Sequence, residues 1–148
     1  MAPSAYERAG IDGLLAAARA RLRRLAPAEA REAARARGLI VDIRSEHQRE
    51  VQGLVPGAYF VARNVLEWRA DPRCAHHDPV LVAVRGPLVL MCAQGFQSSL
   101  AAAMLQDLGL AHATDMEGGF ERWQADGLPV LPASGRTHAR PDARRLGP

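Results

Sequence analysis

At 148 residues the chain is long enough to bury one core and is read as one domain. All 19 of its basic residues are arginine, which excludes chemistry built on a Schiff-base lysine or a phosphate-loop lysine. The net charge of +3 sits at the ends: residues 1–37 carry eight arginines against four acids and 133–148 four against one, while 38–132 carry seven against eleven.

Residues 5–25 place Ile11, Leu14, Leu15, Ala18, Leu22 and Leu25 at helical spacing among arginines. This predicts an amphipathic helix, assigned to 1–22, that covers either its own domain or a partner. Pro27, with Glu29 and Glu32 behind it, opens a second helix that Gly38 stops. Leu39-Ile40-Val41 then reads as a buried strand ending in Asp42. Ser45 caps a short helix through Val51, and Val55-Pro56-Gly57 supplies the two central residues of a type II turn before a strand over 58–61. Residues 70–79 read as a loop. Leu88 to Met91 is apolar on both faces, as a central parallel strand should be. Leu100, Met104, Leu105 and Leu108 share one face of the following helix, which Gly109 ends. A last strand over 112–116, a last helix over 119–126 and a basic, disordered tail over 132–148 complete the chain. Strands alternating with helices predict an α/β fold with a mostly parallel sheet.

Cys92 stands at the carboxyl end of the central strand, about six residues before a helix begins, where open parallel sheets gather their ligands. Between them Gly95 allows a curl that points successive N–H groups inward. Such donors at a helix N-terminus stabilise an anion on sulfur and raise the thiolate fraction. The alternative is an inert buried thiol, since free cysteine is among the most buried residue types.

Four ordered motifs carry a family resemblance: Val41-Asp42-Ile43-Arg44; Gly53-Leu54-Val55-Pro56-Gly57-Ala58; Cys92-Ala93-Gln94-Gly95-Phe96-Gln97-Ser98; and Glu117-Gly118-Gly119-Phe120 with Trp123. Together they resemble a rhodanese-like sulfurtransferase domain over about 23–131. The resemblance implies a three-layer α/β sandwich and a ping-pong transfer. In it the Cys92 thiolate takes the outer sulfur of thiosulfate, mercaptopyruvate or a persulfide. It then holds that sulfur as a persulfide among the amides of Ala93, Gln94, Gly95, Phe96, Gln97 and Ser98, and passes it to a thiol or cyanide. No metal or organic cofactor is implied.

Two positions depart from the family pattern. Gln97 stands where the family's loop carries an arginine, so a neutral amide replaces a fixed cation and thiosulfate activity is expected to be weak. Leu54 replaces the turn's usual histidine. Arg44 and Arg63 are candidates for the missing charge, each with a structural ion pair as its plainer reading, and Asp42 is a candidate support for the loop. Cys74, His76, His77 and Asp78 lack metal-ligand spacing, and Cys74 is either a resolving thiol or a spectator. Trp68 and Trp123 read as core anchors, and Glu67 and Arg69 as edges of the pocket or a solvated face.

A competing reading is a sulfur carrier or sensor on the same fold that docks a partner protein with little small-molecule turnover. A phosphatase reading is weaker, because no arginine lies between Cys92 and Leu110 to close a loop on an oxyanion. Neither nucleic-acid nor membrane binding is expected: the basic tail, with Arg136, Arg140, Arg144 and Arg145, has no interleaved aromatics, and no apolar stretch spans a bilayer. Two cysteines without an export-signal pattern lead us to expect a cytoplasmic protein with free thiols.

Overall fold

A computed structural model describes residues 5–133, and the side chains of 10–133. Four strands, β1 (Leu39–Asp42), β2 (Tyr59–Phe60), β3 (Leu88–Met91) and β4 (Ala113–Asp115), form one parallel sheet in the order β2-β1-β3-β4. Among the described residues the helices are α1 (Ala5–Ala20), α2 (Pro27–Ala36), α3 (Glu46–Gln52), α4 (Leu66–Ala70), α5 (Pro79–Val82), α6 (Gln97–Asp107) and α7 (Gly119–Ala125).

Alternation along β1 and β3 sends side chains to two separate cores. On one face Val41, Leu88 and Leu90 pack with Leu66, Ala70, Leu81, Ala101, Ala102 and Leu105 from α4, α5 and α6. On the other, Ile40, Val89 and Met91 pack with Ala30 of α2 and with Phe120 and Trp123 of α7. The result is the expected three-layer α/β sandwich. From β1 the chain crosses to β2 on one side, whereas β3 lies on β1's other side and leads on to β4. The carboxyl ends of β1 and β3 therefore flank a topological switch point, where such sheets open a crevice.

Local signals behave as their chemistry requires. Ser45 accepts from the Gln48 N–H, and the Gln48 side chain returns the bond to the Ser45 N–H. Gly57 takes φ 80° in a turn closed by the Ala58 N–H on the Val55 carbonyl. Gly109 ends α6 with the paired bonds Gly109 N–H to Gln106 and Leu110 N–H to Leu105.

Four expectations need correction. The first helix, assigned to 1–22, stops at Ala20, and the last residue of the apolar pattern over 5–25 is outside it, because Leu25 is drawn to the sheet edge: its N–H donates to the Asp115 carbonyl and its carbonyl accepts from Glu117, making a parallel bridge to Met116. The buried face of α6 is not its large apolar row. Ser98, Ser99, Ala101, Ala102, Ala103 and Leu105 face inward, and Met104 is 44% exposed, since small residues let α6 lie close on the sheet while α1 packs on it from outside. Trp68 is no core anchor: it lies 56% exposed on α4, whose inward positions are Leu66 and Ala70. Residues 70–79 contain turns, but Asp78 and Pro79 also start α5, with Asp78 capping the Val80 N–H. Of the tail assigned to 132–148, residues 134–148 lie outside the described residues; just before it, Leu131 bridges Leu54 in antiparallel register.

Candidate active site

Cys92 follows the last residue of β3 and is 7% exposed, with its sulfur under a loop that runs into α6. The Gly95 N–H donates to Sγ at 3.1 Å and the Ser98 N–H at 3.4 Å. Two backbone donors thus converge on one sulfur, and the amino end of the eleven-residue α6 adds the field of its peptide dipoles. That arrangement stabilises negative charge on the sulfur.

The loop keeps this shape because its neighbours fix the backbone. Gly95 has φ 83°, and a Cβ there would come within 2.7 Å of the Gly118 nitrogen. Gly119 has φ 59°, and a Cβ would collide with the Cys92 carbonyl and the Ala93 backbone. The paired glycines therefore let α7 start directly against the loop, where the Phe120 N–H donates to the Cys92 carbonyl and the Glu121 N–H to the Ala93 carbonyl. Ala93 is half-buried by that contact. Gln94 is exposed and reaches the Glu121 carboxylate at 3.4 Å.

Beneath the loop lies Asp115, at the end of β4, with no exposed surface. Its Oδ2 accepts from the Ser98 hydroxyl at 2.7 Å and the Ser99 hydroxyl at 2.8 Å. Arg24 bonds both oxygens, Nε to Oδ1 at 2.9 Å and Nη2 to Oδ2 at 3.3 Å. With its proton committed to Asp115, Ser98 presents a lone pair to the Cys92 S–H 3.4 Å away. Arg24 and Arg19 also donate to the Gly95 carbonyl, at 3.1 and 2.8 Å, and Arg19 donates to Ser99 Oγ at 3.2 Å. Asp115, Ser99, Arg19 and Arg24 were not singled out by the sequence reading. The available signal was an aspartate inside the apolar strand Ala113-Thr114-Asp115-Met116: a buried carboxylate requires a cation and donors.

The outer surface of the loop is open. Phe96 is 55% exposed, with the Arg19 guanidinium 5.4 Å from its ring centroid, and Gln97 is exposed at the first turn of α6.

The remaining candidate residues lie elsewhere or are already engaged. Asp42 does not hold the active loop: its Oδ1 accepts from the Arg44 N–H and Nε, and its Oδ2 from Arg44 Nη2 at 2.7 Å with Arg49 at 3.5 Å. Arg44 is buried, also bonds Gln52 and the Gly53 carbonyl, and stacks over Phe120 at 4.1 Å. This ion pair ties β1 to the turn that follows α3, so Arg44 is not placed to supply charge to the loop. Arg63 pairs with Glu67 at 2.7 Å and Arg69 donates to the His76 carbonyl, so the two side chains brace the α4 region. Cys74 lines a shallow surface hollow with Glu67, Trp68, Asp71 and Leu108, apart from the loop residues. His77 Nδ1 meets the Cys74 carbonyl at 2.7 Å, and Asp78 accepts the Tyr59 hydroxyl at 2.6 Å. Among the described residues no three His, Cys, Asp or Glu side chains converge as metal ligands, and no helix is long and apolar enough to cross a membrane.

A cysteine cradled by amides at the switch point of the parallel sheet of a three-layer sandwich defines an α/β domain built around a single loop thiol. The Rhodanese-like domain family matches residues 26–126, and the chain belongs to that family. A protein of unknown function from Rhodopseudomonas palustris, called a possible tyrosine phosphatase, is similar in structure with TM-score 0.77 at 32% identity, covering 88% of this chain and 99% of that one. The human single-domain sulfurtransferase aligns with TM-score 0.57 at 23% identity over 69% of this chain and 95% of its own. A thiosulfate sulfurtransferase from Pseudomonas aeruginosa gives TM-score 0.60 at 20% identity, over 78% of this chain and 20% of that longer one. No curated protein matches.

Proposed function

We propose that the protein is a sulfurtransferase that moves sulfane sulfur through a persulfide on Cys92. The observation that carries this reading is the convergence of the Gly95 and Ser98 amides on Cys92 Sγ, a geometry that favours both a thiolate nucleophile and an anionic persulfide. In the first half-reaction the thiolate attacks the outer sulfur of the donor. The new S–S bond to Cys92 forms as the donor's bond to that sulfur breaks, and sulfite, pyruvate enolate or a thiolate leaves with the electron pair. In the second, cyanide or a thiolate attacks the outer sulfur and Cys92 leaves as thiolate, restoring the starting state. No external oxidant or metal enters this balance.

Gln97 supports a narrower expectation. With a neutral, exposed amide at position 97, a dianionic donor lacks the cation that an arginine there would supply, so thiosulfate is a poor donor and a persulfide or mercaptopyruvate a better one. A protein thiol as acceptor gains support from Phe96, an aromatic exposed on the loop itself, which also leaves the carrier reading in play as an alternative. The name of the Rhodopseudomonas relative raises phosphate-ester hydrolysis, but the segment from Cys92 to Leu110 contains no arginine to grip a phosphoryl group. The direct test is sulfur loading of Cys92 followed by cyanide discharge. A Cys92-dependent release of phosphate from an aryl phosphate, with no sulfur loading, would replace the proposal with the hydrolytic one.

A further inference from the structure

The segment from Cys92 to Ser98 contains no charged side chain, yet two guanidiniums bond its backbone from behind. Both come from sequence upstream of the family-matched residues 26–126: Arg19 from the last turn of α1, and Arg24 from the linker that follows. We propose that Arg19 and Arg24 are positioning residues for Cys92, and that through them α1 and its linker form a built-in part of the active site. The proposal deepens the sulfur-transfer reading and rests on it for its purpose.

The geometry gives Arg19 two bonds in the site and Arg24 three. Arg19 holds the Gly95 carbonyl and Ser99 Oγ; Arg24 holds the same carbonyl and both oxygens of Asp115. In a trans peptide the N–H points opposite to the carbonyl. Clamping the Gly95 carbonyl therefore fixes the plane of the Gly95–Phe96 peptide, and so anchors the residue whose own N–H touches the sulfur. Asp115 in turn commits the Ser98 hydroxyl, whose own amide touches the sulfur. The brace thus reaches the sulfur through the two residues whose amides touch it, Gly95 by its carbonyl and Ser98 by its side chain.

It also sets the local field. Arg19 and Arg24 against Asp115 leave one net positive charge behind the loop, with Arg24 only 17% and Asp115 0% exposed at the side chain. Of the other charged groups around the site, Glu121 on α7 meets Gln94, and the Asp42 carboxylate on β1 is paired with two guanidiniums, those of Arg44 and Arg49. The net positive charge of the Arg19, Arg24 and Asp115 group, bonded directly to the loop, favours an anion at the sulfur, whether a thiolate, a persulfide or an incoming donor.

The test compares iodoacetate with iodoacetamide on the full chain, with Cys92 alkylation resolved from Cys74 by peptide mass spectrometry. Both reagents react at the thiolate by losing iodide, and they differ by one negative charge, so the ratio of their rate constants reads the field at the sulfur rather than the thiolate fraction. Removing a nearby unit charge should lower that ratio by about threefold or more in Arg24→Gln and in Arg19→Gln. Arg24→Lys should restore most of it, and Asp115→Asn should raise it. Arg19 does not bond Asp115, so Arg19→Gln carries the test if Arg24→Gln does not fold. Unchanged ratios in the folded glutamine variants would overturn the proposal. Neither reagent donates sulfur: a wild type that fails to load sulfur while the ratio responds would refute the function and leave the brace standing, and sulfur loading with an unresponsive ratio would do the reverse.

Discussion

The Ser98 hydroxyl donates to Asp115 at 2.7 Å while its oxygen faces the Cys92 sulfur at 3.4 Å, so a carboxylate with no exposed surface is coupled to the thiol through one serine. Ser98→Ala removes a charge-assisted bond from a carboxylate that cannot turn to water. It should cost about 1.5–3 kcal/mol in denaturant unfolding. Ser98→Cys or Ser98→Thr, which keep a donor, should recover part of that stability, in contrast to an unhydrogen-bonded alanine.

Gly119→Ala is expected to be among the most damaging small substitutions. It imposes a positive φ on a residue with a Cβ and drives that Cβ into the Cys92 carbonyl. Strain and overpacking together should destabilise the protein by about 3 kcal/mol and displace the loop. Thermal unfolding together with Cys92 alkylation rates checks both effects. Gly127→Ala, also at positive φ but with open space around it, should show only the smaller conformational cost.

Gln97→Arg should raise thiosulfate turnover. The position is exposed at the first turn of α6, so solvent screens the added charge, and the expected gain in kcat/KM is about three- to tenfold. The gain should appear chiefly in KM and shrink at high ionic strength. Steady-state kinetics at two salt concentrations decides the matter; no gain at low salt would mean that the loop mouth does not contact the donor.

His112 predicts the acid limb of the stability profile. Burial, with the Arg85 charge beside it, holds its pKa below the ordinary 6.5. As pH falls through 6.5 the unfolded chain therefore takes up the imidazole proton before the native state does, and stability is lost. His112→Gln should flatten this decline between neutral pH and pH values below 6.5, as read by urea midpoints across that range.

The two tryptophans should respond oppositely. Trp123 is buried against α2 and donates to the Pro129 carbonyl at 2.8 Å, so Trp123→Ala should cost about 3–5 kcal/mol. Trp68 is exposed, and Trp68→Ala should stay within about 0.5 kcal/mol of wild type in the same unfolding measurement.

That contrast shows where the sequence was readable. Strands β1 and β3, the Ser45 cap, the Pro56-Gly57 turn and the cysteine loop are legible because each depends on neighbours a few residues away. Trp68 and Met104 misled because hydrophobicity alone does not say which side of a helix meets the sheet, and on α6 the inward side is made of alanine and serine. The end of α1 was placed too late because the sheet edge, some ninety residues downstream, captures Leu25. Arg19, Arg24 and Asp115 became visible as a group only in three dimensions: nothing local pairs an arginine in the linker after the leading helix with a carboxylate on the last strand. By contrast Arg44 and Asp42, two residues apart, form the ion pair that their spacing allowed.

The most direct measurement of the central claim is intact-protein mass spectrometry after incubation with thiosulfate, mercaptopyruvate and glutathione persulfide in turn, comparing wild type with Cys92→Ser. The account predicts that wild type gains one sulfur atom from at least one donor, least efficiently from thiosulfate, that cyanide discharges it, and that Cys92→Ser gains none. A wild type that stays unloaded with every donor, or a Cys92→Ser variant that loads equally well, would contradict it.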